Sequence, residues 1–367
     1  MNSTVSALES LDISYQYISF SPKQKMLLEQ TAKAVDGDAA LSGRFHKDGL
    51  SLRMQDDCSE PRDPLSDNTH PAYQLSPTER GLYPALLLLS ATQSLAEAYR
   101  LRGIPRQVLV DTLSDIPLWM NNCETHFGYQ GMLEFPWLSN HMRMRLFRLG
   151  RLEYIYAKSR VPAYFYRSAD EKELFVFLQE DLRVDSQGEL NPDGMPVSFS
   201  DDGKNILGYR VDSLGSINIH AWKMERNGLT QVLRPGDPVL DVHIPEGPPL
   251  SPNEIASSLH AAPAFFRKYC GATDAKAFTC GSWLMAPGLA QIIPESNIAQ
   301  FQQLFFRVPY TTRDNQVLER VFGKECRDWS QRARHTQLQK GLFAWYQSGK
   351  HLRQMQGVIL LDQGGME

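Results

Sequence analysis

The stretch DPVLDVHIPEGPPLSPNEI, Asp237–Ile255, decides how the whole chain is read. It opens as a short apolar run, the pattern of a buried strand. It then places His243 and Glu246 in a turn stiffened by Pro245, Pro248 and Pro249, and enters a helix at Ser251-Pro252. Proline has no backbone N–H and suits the first position of a helix, so Pro252 marks a helix start. Ser251 and Glu254 form an S-x-x-E pattern, which predicts a capping box there. Strand-to-helix junctions of this kind hold phosphates and position reactive groups in α/β proteins.

Downstream the elements alternate. AFTCGSWLM predicts a strand, GLAQIIPESNIAQFQQL a helix broken near Pro294, and FFRVPYT a strand. TQLQKGLFAWYQSGK predicts a helix ending near Gly349, and QGVILLD a last strand. Upstream, from about residue 145, LFRLGRLEYIYAK alternates long apolar and polar residues, with Gly150 read as a bulge. PAYFYRS, ELFVFLQEDLRV, GYRVDSLGSINIHAWKME and GLTQVLRPG follow, separated by turns such as NPDG and SDDGKN. The first third reads helical. Ser21-Pro22 and Ser76-Pro77 with Glu79 are helix starts, and Gly103 is a helix stop. Residues 36–73 are rich in Asp, Ser and Pro and are expected to be mostly loop or short elements. The fold class is α/β (α+β): a helical N-terminal domain, residues 1–135, then a mixed β-sheet domain with crossover helices, residues 136–367.

Composition narrows the function classes. The net charge of −4 on 367 residues gives no electrostatic case for nucleic acid. The most apolar run, YPALLLLSA, is far shorter than the roughly 20 residues of a membrane span and is expected to be a core helix. Five scattered cysteines without a CxxC argue against a disulfide framework and a structural zinc site. The start MNSTVSALESLDISYQ has no basic segment leading into an apolar core, so a cytoplasmic protein without a signal peptide is expected. His141 and Glu153 lack metal-ligand spacing with any near neighbour in sequence, so no metal is expected.

The element order resembles the Gcn5-related N-acyltransferase (GNAT) fold. The motifs DTLSD (Asp111–Asp115), WLSNHMRMRLFRLGRLEY (Trp137–Tyr154), GDPVLDVHIPEGPPL (Gly236–Leu250) and CGSWLMAP (Cys280–Pro287) narrow this further. Together they resemble a bacterial family in which a helical N-acyltransferase domain precedes a GNAT-like domain. The resemblance implies an acyl-CoA donor entering between two splayed strands and a small-molecule amine acceptor. It would put Gly247, Leu250, Ser251 and Trp283 against the donor. GNAT enzymes usually carry Q/R-x-x-G-x-G/A at this junction, whose backbone N–H groups hold the pyrophosphate. EGPPLSPNEI lacks that pattern, and its prolines have no N–H to give. This departure leaves room for a second reading: a non-catalytic module that binds a ligand or an acyl carrier protein.

Several side chains are candidates for the chemistry. His243 lies at the predicted strand end with Asp241 two residues earlier on the same face, an arrangement suited to a general base. The alternative is a histidine bonded to loop backbone. Glu246 is a second base candidate or a solvated turn residue. Cys280 could be a nucleophile or a small core hydrophobe, and Ser282 a donor to an oxyanion. Arg148 and Arg151, with Arg143 and Arg145, either bind a substrate carboxylate or phosphate or pair with Asp111, Asp115 and Glu153. Tyr154, with Tyr156, Tyr164 and Tyr166, lines a substrate pocket or packs a sheet.

Overall fold

The computed structural model describes residues 6–54, 62–310, 315–322 and 334–361. Cys58 and Cys326 lie outside them. The chain forms two compact units: Met1–Tyr154 with Ile244–Pro248, and Ile155–His243 with Pro249–Glu367.

The first unit is helical. The helix Pro22–Gly37 starts at Ser21, whose hydroxyl accepts from Gln24 N while the Gln24 side chain closes the capping box. Pro77–Ser90 starts the same way at Ser76 with Glu79. Every residue from Leu82 to Ser90 on it is buried, as expected of a central core helix. The start at Ser76-Pro77 and the stop at Gly103 frame the stretch SPTERGLYPALLLLSATQSLAEAYRLRG as one helix. It is two, Pro77–Ser90 and Thr92–Leu101, joined at Ala91. Gly103 follows with φ +66, a conformation open to glycine.

The region 36–73, expected as loop or short elements, keeps two short helical turns, Pro64–Ser66 and Pro71–Gln74, but also holds a full helix, Ala39–Met54. Asp38 accepts a hydrogen bond from Leu41 N at 2.8 Å and starts it. Leu41, Phe45 and Leu52 bury one face. Gly43, Gly49 and the serines lower the intrinsic helix tendency, and tertiary packing overrides it. After the helices Arg106–Leu113, Asp115–Phe127 and Phe135–Met142, the unit enters strand β1, Leu146–Leu149. Arg143 and Arg145 therefore precede the strand, in the turn after the helix that carries His141. Gly150, expected as a bulge, is instead the turn into β2, Leu152–Lys158. Its φ of +67 serves a tight reversal.

The second unit packs two sheets. One holds β3 (Ala163–Ser168), β4 (Leu174–Leu178), β5 (Phe199–Asp201), β6 (Asn205–Val211), β7 (Ile217–Glu225) and β8 (Leu229–Leu233). Its order is β8-β3-β4-β6-β5, with β7 also on β6, and every pairing is antiparallel. The other holds the end of β2, β9 (Pro238–His243), β10 (Ala277–Ser282), β11 (Phe306–Pro309) and β12 (Met355–Leu360), in the order β2-β9-β10-β12-β11. Phe165 and Val176 from the first sheet meet Val239, Ala277, Val308 and Val358 from the second in one buried core. Each such side chain contributes about 1.5–3 kcal/mol of burial. The crossover from β9 to β10 is the helix Pro252–Cys270, stopped by Gly271 at φ +67. No helix among the described residues is long and apolar enough to cross a membrane.

Candidate active site

In the second unit, β9 and β10 run parallel. Their register pairs are Leu240 with Phe278 and Asp241 with Thr279, and none continues through Val242 and His243. The two strands thus stop pairing at the level where the side chains of interest begin. Asp241 sits at that point. Its Oδ1 accepts from Thr279 Oγ1 at 2.8 Å, and its Oδ2 lies 3.2 Å from His243 Nε2. The His243 contact is an ion-pair approach that misses hydrogen-bond geometry. Both side chains remain about one third exposed, although His243 Nε2 itself is turned inward, which leaves the other face of the imidazole for a substrate.

The residues on β10 divide. Cys280 is fully buried, and burial, with the Asp241 charge, holds its thiol far above the usual range. A thiol that cannot ionise is a poor nucleophile, so Cys280 fills space in the core. Cys280→Ala should keep turnover within about threefold, because nothing reactive is removed. An acyl adduct on Cys280 seen by mass spectrometry would overturn this. Ser282 ends the strand, and its Oγ accepts from Leu284 N at 3.1 Å, opening the short turn Trp283–Met285. The Trp283 backbone N–H is taken by Gln316 Oε1 at 3.1 Å.

The helix behind β9 departs from expectation at its first turn. Ser251 occupies the N-cap but its side chain caps nothing, and no capping box with Glu254 forms. The Ser251 N–H is already donated to Pro249 O at 2.8 Å, so Glu254 has no cap N–H to reach back to. The prolines before Ser251 fold the backbone on itself and leave the helix start without a side-chain cap. Such a terminus keeps its outward N–H groups and its positive dipole end for an anion. Leu250 beside it is buried.

Within the first unit the arginines have structural partners. Arg151 is buried. It donates from Nε to Pro248 O and from Nη1 to Pro245 O, both at 2.9 Å. It thereby clamps the loop Ile244–Pro248. Arg148 donates from Nη1 to Ser114 Oγ at 3.2 Å, and its backbone N–H bonds Thr112 Oγ1 at 3.0 Å. The expected alternative is pairing with Asp111, Asp115 and Glu153; Arg148 instead meets DTLSD through the hydroxyls of Thr112 and Ser114, and Arg148 and Arg151 act on Glu153 through their charge. In the loop, Glu246 accepts from Asn122 Nδ2 at 3.0 Å, and Gly247 has φ +147. That φ strains any residue with a Cβ. Tyr154 is fully buried, which removes it from contact with a substrate.

The first unit also contains a cluster that motif reading missed. Asp115, His141 and Glu153 come together with no solvent exposure to speak of. His141 Nε2 lies 3.5 Å from Asp115 Oδ2 and 3.9 Å from Glu153 Oε1. Burial, reinforced by the Asp115 charge, pushes the Glu153 carboxyl up to about 8. For His141, burial pulls downward, but the Asp115 contact and the Glu153 charge raise it overall. Spacing along the chain could not show this, since Asp115 is 26 residues from His141.

Comparison with known proteins agrees with the layout. Residues 146–359 match a family profile described as a GNAT-like C-terminal domain, and residues 10–144 one described as an N-acyltransferase N-terminal domain. Three solved structures share the fold. An acyltransferase mutant in complex with octanoyl-CoA superposes with a TM-score of 0.67 at 19% identity, over 96% of this chain and 88% of that one. An acyltransferase in complex with decanoyl-CoA and teicoplanin gives 0.65 at 20%, over 96% and 88%. An acyltransferase in complex with CoA and 10C-teicoplanin gives 0.66 at 19%, over 98% and 89%. No curated relative matches the chain.

Proposed function

This chain belongs to the family that joins an N-acyltransferase N-terminal domain to a GNAT-like C-terminal domain, and from that premise we propose that it is an acyl-CoA-dependent N-acyltransferase acting on a small-molecule amine. One observation carries the reading. The β9–β10 ladder ends at Asp241–Thr279, beside a helix start whose N-cap side chain makes no bond. A pantetheine arm needs such a gap between strands, and a pyrophosphate suits such a helix end. The shared fold with acyltransferases bound to octanoyl-CoA and decanoyl-CoA supports a medium-length acyl donor.

In this reading Asp241 orients His243. The acceptor nitrogen attacks the thioester carbonyl while His243 takes its proton. The C–S bond then breaks, CoA leaves as a thiolate, and the proton returns to it. Backbone N–H groups on the edge of β10 that faces β9, beyond Thr279, would polarise the carbonyl oxygen. The teicoplanin and 10C-teicoplanin in two of these solved structures support a small-molecule acceptor.

Isothermal titration calorimetry with acetyl-, octanoyl- and decanoyl-CoA tests this directly. Saturable binding of the longer donors, with thioester consumed in an amine panel, is the expected result. Binding without turnover against any acceptor would favour the non-catalytic module. No binding to any of the three would end the CoA reading.

A further inference from the structure

We propose that Asp115, His141 and Glu153 form a buried binding site for one divalent transition-metal ion, zinc first among them, in the helical unit. The site is independent of the acyl-transfer reading. It rests on what the imidazole faces. His141 Nδ1 contacts the Leu146 carbonyl oxygen at 3.2 Å. A carbonyl can only accept, so Nδ1 carries the proton there. In the neutral ring Nε2 then presents a lone pair, and that lone pair faces two carboxylate oxygens, Asp115 Oδ2 and Glu153 Oε1. Three electron-rich atoms pointing together in a dry interior repel one another unless a cation lies among them.

That cation is either a metal or a proton, held on Nε2 or on the Glu153 carboxyl, which burial already pushes up to about 8. The distances favour the metal. A charge-assisted N–H···O bond closes to about 2.7–2.9 Å. Here the contacts are 3.5 and 3.9 Å. Ligands at about 2.0–2.1 Å from a tetrahedral zinc lie about 3.3 Å from each other, so these atoms stand around a gap close to the size a metal needs. A small inward movement completes the geometry.

Two buried oxygens support this independently. Glu153 Oε1 and Asp115 Oδ1 are both inaccessible to solvent and have no hydrogen-bond partner. An orphaned carboxylate oxygen is costly in an interior, and metal coordination is one of the few ways to satisfy it. The two oxygens of one carboxylate lie too close together to fill two corners of a tetrahedron, so Asp115 binds through one of them and a water takes the fourth position. The outer contacts are those a metal site needs. Leu146 O fixes the His141 tautomer, and Trp119 Nε1 donates to Asp115 Oδ2 at 3.1 Å. One imidazole and two carboxylates suit zinc, with manganese and cobalt as substitutes. The ligands come from the helix Asp115–Phe127, the helix Phe135–Met142 and strand β2, so an ion there would tie three elements together.

The test uses the full-length protein. Metal content is measured by mass spectrometry as purified, then after chelation and dialysis. The stripped protein is titrated with Zn2+ by calorimetry and with Co2+ by visible absorption. About one equivalent of metal, a tetrahedral Co2+ spectrum and a higher melting temperature on reloading are expected. Glu153→Gln and Asp115→Asn keep the side-chain shape and should each weaken Zn2+ binding by about 10–100-fold. Surface histidines could bind metal, but those two variants would leave such binding unchanged. A folded wild-type protein that holds no metal and shows no saturable Co2+ band overturns the proposal. So does Zn2+ affinity that neither variant alters.

Discussion

His243→Ala is expected to lower turnover of acyl-CoA by about 10²–10⁴-fold while leaving donor binding nearly unchanged. The asymmetry follows from position. His243 stands at the open end of β9 beside Asp241, whereas the groups suited to holding the donor lie at the start of the helix Pro252–Cys270. In the proposed mechanism, removing the imidazole takes away the proton acceptor and nothing that would grip phosphate. The loss should fall on kcat, with the donor Kd from calorimetry within about threefold of wild type. Asp241→Asn should cost less, about tenfold, because the amide still accepts from Thr279 and keeps the strand end in place. Turnover in His243→Ala within threefold of wild type, across an amine panel, would remove it as the base.

Arg151→Met should lower stability by about 3–5 kcal/mol. The guanidinium is buried and bonds two carbonyls, Pro245 O and Pro248 O, which no other donor is seen to take among the described residues. Methionine fills most of the space but leaves both acceptors unsatisfied in the interior. It also takes a positive charge away from Glu153, whose own ionisation Arg151 favours. Arg148→Met is the control. That side chain is only partly buried and its bonds to Ser114 and Gly150 are longer, so about 1 kcal/mol is expected. Differential scanning calorimetry of the two variants would show a drop of about 10 °C for the first and a few degrees for the second. Equal midpoints would mean that Arg151 does not hold the loop.

Most of the fold was legible because its signals are local. Prolines after serines marked the helix starts at Pro22, Pro77 and Pro252, and Gly271 and Gly349 marked helix stops. The alternation β9, helix, β10 could be read from apolar runs and turn residues. What could not be read was decided by packing. Ala39–Met54 is a helix because Leu41, Phe45 and Leu52 find a core, against a sequence with two glycines. Two sheets rather than one form because Phe165 and Val239 meet across a shared interior, and no local pattern says which strands share a ladder.

The site shows the same division. Asp241 and His243 were visible together because a strand repeats every two residues. The fates of Arg151 and Ser251 were not, because each depends on a carbonyl brought in by the proline loop. The buried trio was invisible for a stronger reason. Its members sit on two helices and a strand, and only tertiary contact makes them neighbours.

The loop Ile244–Pro248 has a consequence for how the protein is made. It belongs to the first compact unit, although the chain on both sides of it belongs to the second. During synthesis the helices and Arg151 leave the ribosome first. The carbonyls that Arg151 must bind arrive about 94 residues after Tyr154. At the usual pace of translation that is a delay on the order of 10 s. Throughout it, a buried cation waits without its acceptors, and the first half of the protein cannot finish folding before much of the second has been built.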